Sequence, residues 1–297
     1  MDSALTSVAL PAALAIIMFG LGLSLTVEDF ARVARHPKAV AIALVCQLVL
    51  LPAIAFGLVA AFDLDPLLAV GMMLLAASPG GTTANLFSHL FRGDVALNVT
   101  LTAVNSVIAV VTLPLITNFA LVYFDPADGD GSLGLQFSKV LQVFAVVLIP
   151  VALGMFTRRR SPGFAERADR PVRIGSAAVL ALVIVGTIAA ERENIADYAA
   201  QIGLVAVAFC VLSLTVGYLV PRRLGVMDRQ AVACSMEIGI HNSTLAMTIA
   251  ISLLDNVQLA VPAAVYGVVM FPIAAAFGWL ITRTSRADED EAVPVAP

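Results

Sequence analysis

The chain is a series of apolar stretches, most of them twenty residues or longer, separated by short loops whose charge alternates in sign. They fall at 4–26, 39–62, 66–90, 95–123, 135–157, 174–190, 199–220, 230–254 and 258–282. A helix of about 20 residues crosses the hydrocarbon of a bilayer, so 297 residues hold about nine crossings and leave little over. Composition agrees. The chain is 60% hydrophobic and 13% charged, against about half and about a quarter in a soluble domain. The expected fold is therefore an all-α integral membrane protein of about nine transmembrane helices, forming one transmembrane domain over 1–297. Its solvent is the lipid bilayer, with no nucleic acid and no obligate protein partner implied.

The loops set the orientation. Basic residues follow the first span (Arg32, Arg35, Lys38), the third (Arg92), the fifth (Arg158, Arg159, Arg160, Arg167, Arg170, Arg173), the seventh (Arg222, Arg223, Arg229) and the ninth (Arg283, Arg286). Acidic residues follow the second (Asp63, Asp65), the fourth (Asp125, Asp128, Asp130), the sixth (Glu191, Glu193, Asp197) and the eighth (Asp255). Of 17 Lys and Arg, only Arg192 and Lys139 depart from the pattern. The positive-inside rule then puts the N-terminus outside and the C-terminus in the cytoplasm. A miscounted span would break this alternation. No basic segment precedes the first apolar stretch, which is too long for a cleavable signal, so it is expected to remain as a helix. Cys46, Cys210 and Cys234 lie in apolar stretches without metal-ligand spacing and read as small core residues. The acidic tail at 288–291 reads as a solvated end.

Two spans are interrupted near their middles. The third carries SPGGTTAN (78–85) and the eighth EIGIHNST (237–244). Five spans apart, they run in opposite directions, as in an inverted repeat, and paired interruptions of this kind mark transporter binding sites. Spans 1–4 then correspond to spans 6–9, and span 5 lacks a partner, as in a ten-helix plan short of its first helix. Pro79-Gly80-Gly81 disfavours a regular helix, freeing carbonyls for cations and a half-helix N-terminus near Thr82 and Thr83 for an anion. Gly239 is a weaker breaker at the matching place.

Glu237 lies inside span 8 with no Lys or Arg nearby in sequence. An ionised carboxylate at that depth costs at least a few kcal/mol and calls for a cation, a proton or a water-filled cavity. A protonated Glu hydrogen-bonded in the bundle is the structural alternative. Hard oxygen donors cluster in the same spans. Ser78, Thr82, Thr83 and Asn85 lie in span 3. Asn98, Thr100, Thr102, Asn105 and Ser106 lie in span 4, and His241, Asn242, Ser243 and Thr244 in span 8. Gln47 joins them from span 2. Asn98, Thr102 and Asn105 follow i, i+4, i+7 spacing and share one helical face. Such a stripe coordinates a hard cation or bonds between helices.

IMFGLGLSLTVEDF (17–30), HPK (36–38), SPGGTTAN (78–85), RGDVALNV (92–99) and EIGIHNSTLA (237–246) together resemble the bile acid:sodium symporter family, in its bacterial nine-helix form. The resemblance covers nearly the whole chain. It implies an inner (plasma) membrane location and crossing broken helices in a core domain packed against a panel domain. The core is expected at about 66–123 and 199–254 with span 5, and the panel at about 4–62, 174–190 and 258–282. It implies sodium as the transported ion, one or two per cycle. One sodium site would use Asn85, Thr102 and Glu237, with Asn98 at a ligand position. A second would use Gln47, Glu237, His241 and the backbone carbonyls of Ile238 and Ile240. A small organic anion would sit near Thr82, Thr83, Asn242 and Ser243, with Asn105 counted among its contacts. Ala84 replaces a serine of bacterial relatives, Asn98 replaces another, and His241 replaces a glutamine. Imidazole is a poor sodium ligand, so one sodium, or a proton on His241, is the alternative to two sodium ions.

The expected function is sodium-coupled symport of a small organic anion (bile-acid-like, pantoate-like or a keto acid) by alternating access, and not enzymic catalysis. GxSxG, HExxH and paired catalytic carboxylates do not occur. The alternative is a proton-coupled or efflux carrier of an organic acid or of arsenite, the last depending on Cys234, one turn from Glu237.

Overall fold

In the computed structural model the described residues are 26–126, 137–168, 195–254 and 256–291, with 171, 172, 174 and 175, and 15, 16, 18–20, 22 and 23 of the first span. The sixth span lies almost wholly outside them, as do Asp128, Asp130, Glu191, Arg192, Glu193 and Asp255. The described residues form helices and no strand.

We label the helices α1 (Val27–Ala31), α2 (Pro37–Ala61), α3 (Pro66–Ala77), α4 (Thr82–Leu90) and α5 (Val95–Phe124). After them come α6 (Phe137–Arg160), α7 (Ile195–Arg223), α8 (Asp228–Gly239), α9 (Ser243–Ser252) and α10 (Val261–Glu291). Four apolar helices, Pro37–Ala61, Val95–Phe124, Ala200–Arg223 and Gln258–Arg283, have 25, 30, 24 and 26 residues. At about 1.5 Å per residue, each is longer than the roughly 30 Å of bilayer hydrocarbon.

Local chemistry sets the helix starts. Asp65 precedes Pro66, and its carboxylate accepts from the Leu67 amide at 2.9 Å. Asp94 caps α5 through the Leu97 amide at 3.0 Å, and Asn242 caps α9 through that of Leu245 at 3.0 Å. Each satisfies a first-turn N–H that has no partner within its own helix. Helix α10 runs to Glu291, beyond the expected end of the last span at 282, because no Gly or Pro stands between Thr282 and Glu291 to stop it.

Residues 68–77 of α3 and 230–239 of α8 are buried on every side. These half-helices form the centre of the bundle. The lipid-facing side chains are on the longer helices around them, such as Val49 (59% exposed), Leu115 (63%) and Val268 (74%). Within α10, Arg283 sits over the Trp279 ring, an interfacial arrangement. Helices α2 and α10, expected in the outer panel, pack directly on α7, and α2 also packs on α3.

Candidate functional site

The interruptions of the third and eighth spans meet. Gly80 and His241 form an isolated antiparallel bridge. The Asn242 amide donates to the Pro79 carbonyl at 2.8 Å, and the Gly81 amide to the Ile240 carbonyl at 3.1 Å. Each break supplies the hydrogen bonds that the other lost on leaving its helix, which is how non-helical backbone persists at membrane depth. The carbonyls freed at Pro79 and Ile240 are therefore engaged with the opposite break. Ile238 keeps a freed carbonyl, because the amide that a continued helix would offer it, that of Asn242, goes to Pro79.

The glycines at the crossing act by close approach. None of Gly80, Gly81 and Gly239 has a positive φ. A Cβ on Gly80 would run into the Glu237 carboxylate, and one on Gly239 into the Leu214 side chain of α7. Gly239 thus closes the α7–α8 contact, and the break follows it at 240–242.

Glu237 has no exposed surface and no ion pair among the described residues. The Thr102 hydroxyl donates to Oε2 at 2.6 Å, and Asn105 Nδ2 to Oε1 at 3.2 Å. Asn98 turns its Nδ2 to the Ala233 carbonyl at 2.7 Å, fixing its amide orientation because a carbonyl can only accept. The stripe predicted on one face of span 4 is thus a buried ridge of α5 against α8. Three amide oxygens near the crossing, Oδ1 of Asn85, Asn98 and Asn105, are buried without a donor. Unsatisfied buried oxygens of this kind are uncommon and unfavourable. Among the described residues no three His, Cys, Asp or Glu side chains converge on one point.

The remaining predicted residues divide. Gln47 Nε2 donates to the Ser78 carbonyl at 3.0 Å, and His241 Nδ1 lies 3.1 Å from the same oxygen. Gln47 Oε1 and His241 Nε2 are buried without partners. Asn105, expected among the anion contacts, lies against Glu237. Asn242 caps α9, Ser243 is buried with an unpartnered Oγ, Thr83 is exposed, and the Thr82 side chain lies outside the described residues.

Two features escaped the sequence reading. Residues Cys46–Leu50 form a π-helical turn in α2, where the Leu51 amide reaches the Cys46 carbonyl. Pro52 lacks the amide that would serve residue 48, and the chain loosens one turn ahead of it. The proline was the available signal. The second is Tyr266, fully buried, whose hydroxyl donates to the Gly239 carbonyl at 2.8 Å and whose ring packs edge-on to His241. A lone polar tip in an apolar span gave little warning of it.

A cavity of about 20 Å³ lies beside the crossing, lined by Met18, Pro79, Ser106, Leu113, Val151 and Leu245 among others. It has room for about one water.

The profile of the Sodium Bile acid symporter family matches residues 11–198. The chain belongs to this family. A probable chloroplast sodium/metabolite cotransporter of Arabidopsis thaliana is 31% identical over 86% of the chain and 62% of its own length. A sodium-dependent transporter of Bacillus subtilis is 30% identical over 86% and 77%. The human ileal sodium/bile acid cotransporter is 27% identical over 83% and 70%. Membership and the apolar helices together make this a multi-pass membrane protein.

Proposed function

We propose that the protein is a secondary active transporter that carries a small organic anion together with sodium, with Glu237 as the anionic ligand of the ion. The supporting observation is a fully buried carboxylate, without a cationic side chain beside it, next to amide oxygens that lack donors. A hard monovalent cation would neutralise the first and satisfy the second. Thr102, Asn85 and Asn98 complete the proposed set, and Asn105 joins it through its free Oδ1.

We assign one sodium to this centre. The second set implied by the resemblance presents two ring or amide nitrogens to the Ser78 carbonyl, and its Ile240 carbonyl is engaged by Gly81. Gln47 and His241 then brace the first break and do not coordinate an ion.

The anion would sit between the first span, α5, α6 and α9. The N-termini of α4 and α9 offer positive dipole ends there, and no Lys or Arg lines the small cavity. An organic anion needs far more room than one water, so loading requires the first span and α6 to draw away from α5 and α9. That separation is the alternating-access step of this reading. In this reading the moving unit comprises the first span and α6, the latter expected in the core from the sequence. Helices α2 and α10 group with the core, a revision of the sequence-based division. Nine helices, an inverted repeat, an outside N-terminus, a cytoplasmic C-terminus and an inner (plasma) membrane location complete the proposal.

The test is uptake into proteoliposomes, screened over small carboxylates, with sodium or potassium outside. A saturable flux that collapses when potassium replaces sodium is expected, and an unchanged flux would refute the sodium role. Cys234, on which an arsenite carrier would depend, has no exposed surface.

A further inference from the structure

Where the first span meets α6, two glycines bring the backbones into contact. A Cβ on Gly22 would strike the Val151 carbonyl and lie 3.0 Å from the Gly154 Cα, and one on Gly154 would strike the Phe19 carbonyl. Beyond this contact the chains part, because Thr26 is extended (φ −122°, ψ 157°) before α1 begins. The wedge between them is a cavity of about 600 Å³, lined by Thr26, Glu28, Met155, Phe156, Arg158 and Arg159 among others. The glycine contact at Val151 and Gly154 separates it from the small cavity beside the crossing.

The wedge has two kinds of wall. Met155 and Phe156, the latter 65% exposed, form an apolar face one turn inside the basic end of α6. Arg158, Arg159 and Glu28 form a charged rim. Arg158 has a loose partner, Glu166, at 3.8 Å. Arg159 and Glu28 form no ion pair among the described residues. Asp29, beside Glu28, is already engaged by the Thr26 amide and hydroxyl at 2.8 Å each and by Arg32 at 2.5 Å. The cavity is therefore lined by a cation, Arg159, and an anion, Glu28, that form no ion pair among the described residues, together with the apolar wall.

We propose that this wedge binds an aminophospholipid, with its phosphodiester on Arg158 and Arg159, its ammonium on Glu28 and its acyl chains along Met155 and Phe156. Basic pockets between helices at the cytoplasmic interface suit phosphate headgroups, and guanidinium suits phosphate oxygens. Glu28 selects the headgroup. An anionic lipid without an amine would leave that carboxylate facing negative charge, and a choline headgroup has no N–H to donate to it. A soluble phosphate would leave the apolar wall uncovered.

The experiment uses delipidated full-length protein in detergent, with thermal unfolding followed on adding dioleoyl phosphatidylethanolamine, phosphatidylglycerol or phosphatidylcholine, or free phosphoethanolamine. The ethanolamine lipid should raise Tm by about 2–4 °C more than the other two lipids, and phosphoethanolamine should have no effect. R159A and E28Q should each abolish that excess while leaving the lipid-free Tm unchanged, and R159K should retain part of it. Equal shifts from all three lipids, an equal shift from phosphoethanolamine, or variants that keep the excess would overturn the proposal. None of these readouts depends on transport.

Discussion

A buried carboxylate whose neighbours are a hydroxyl and an amide lacks the full counter-charge that an anion needs in a non-aqueous interior. In E237Q the side chain keeps its shape and loses its charge, so the proposed sodium ligand goes while the packing stays. Sodium raises the melting temperature of any protein that binds it only when folded. That sodium-dependent rise is expected in the parent protein and should vanish in E237Q, and sodium-driven uptake should be lost with it. Removing one partner of a desolvated charge contact costs about 2–5 kcal/mol, so residual sodium affinity should fall at least about thirtyfold. Gly80 supplies a second check. Its Cα lies where any larger residue would press on the carboxylate. G80A is expected to destabilise by about 1–3 kcal/mol and to weaken the sodium response, measured by thermal unfolding with and without the ion.

Among the elements, α2 carries the least anticipated geometry. Its π turn places Gln47 against Ser78, and Pro52 is the residue that forces the turn open. P52A restores the missing amide, so α2 should relax toward a regular helix and withdraw Gln47 from the first break. Amide exchange in the 46–50 segment should slow, and sodium-driven uptake should fall while the protein remains folded. The α7–α8 contact is tested by G239A, expected to lower stability by about 1–3 kcal/mol because the added Cβ would press on the buried Leu214 side chain. Much at this scale was legible in the sequence. The PGG break, the polar run after Glu237 and the i, i+4, i+7 stripe on α5 each follow from residue type and helical period. The π turn was not, because a proline in a membrane helix signals a disturbance without its form. The role of Gly239 was not legible either, because close approach to another helix is a property of the partner. The engagement of the freed carbonyls was hidden too, since it depends on two segments 163 residues apart meeting in space.

For the whole molecule, orientation is the most accessible prediction. All three native cysteines are buried, so background labelling should be low. An impermeant thiol reagent applied to intact cells should modify D63C and spare R286C, whereas both should react after permeabilisation. Reversed labelling would overturn the outside N-terminus. The hydrogen bonds that join residues 79–81 to 240–242 bear on how such a machine moves. They rivet two chain segments through their main-chain atoms, so neither break can shift without dragging the other or tearing polar links inside the bundle. On the proposed reading the rivet therefore behaves as a solid piece, and the sliding seam runs outside it, between α5 and α9 on one side and the paired first span and α6 on the other.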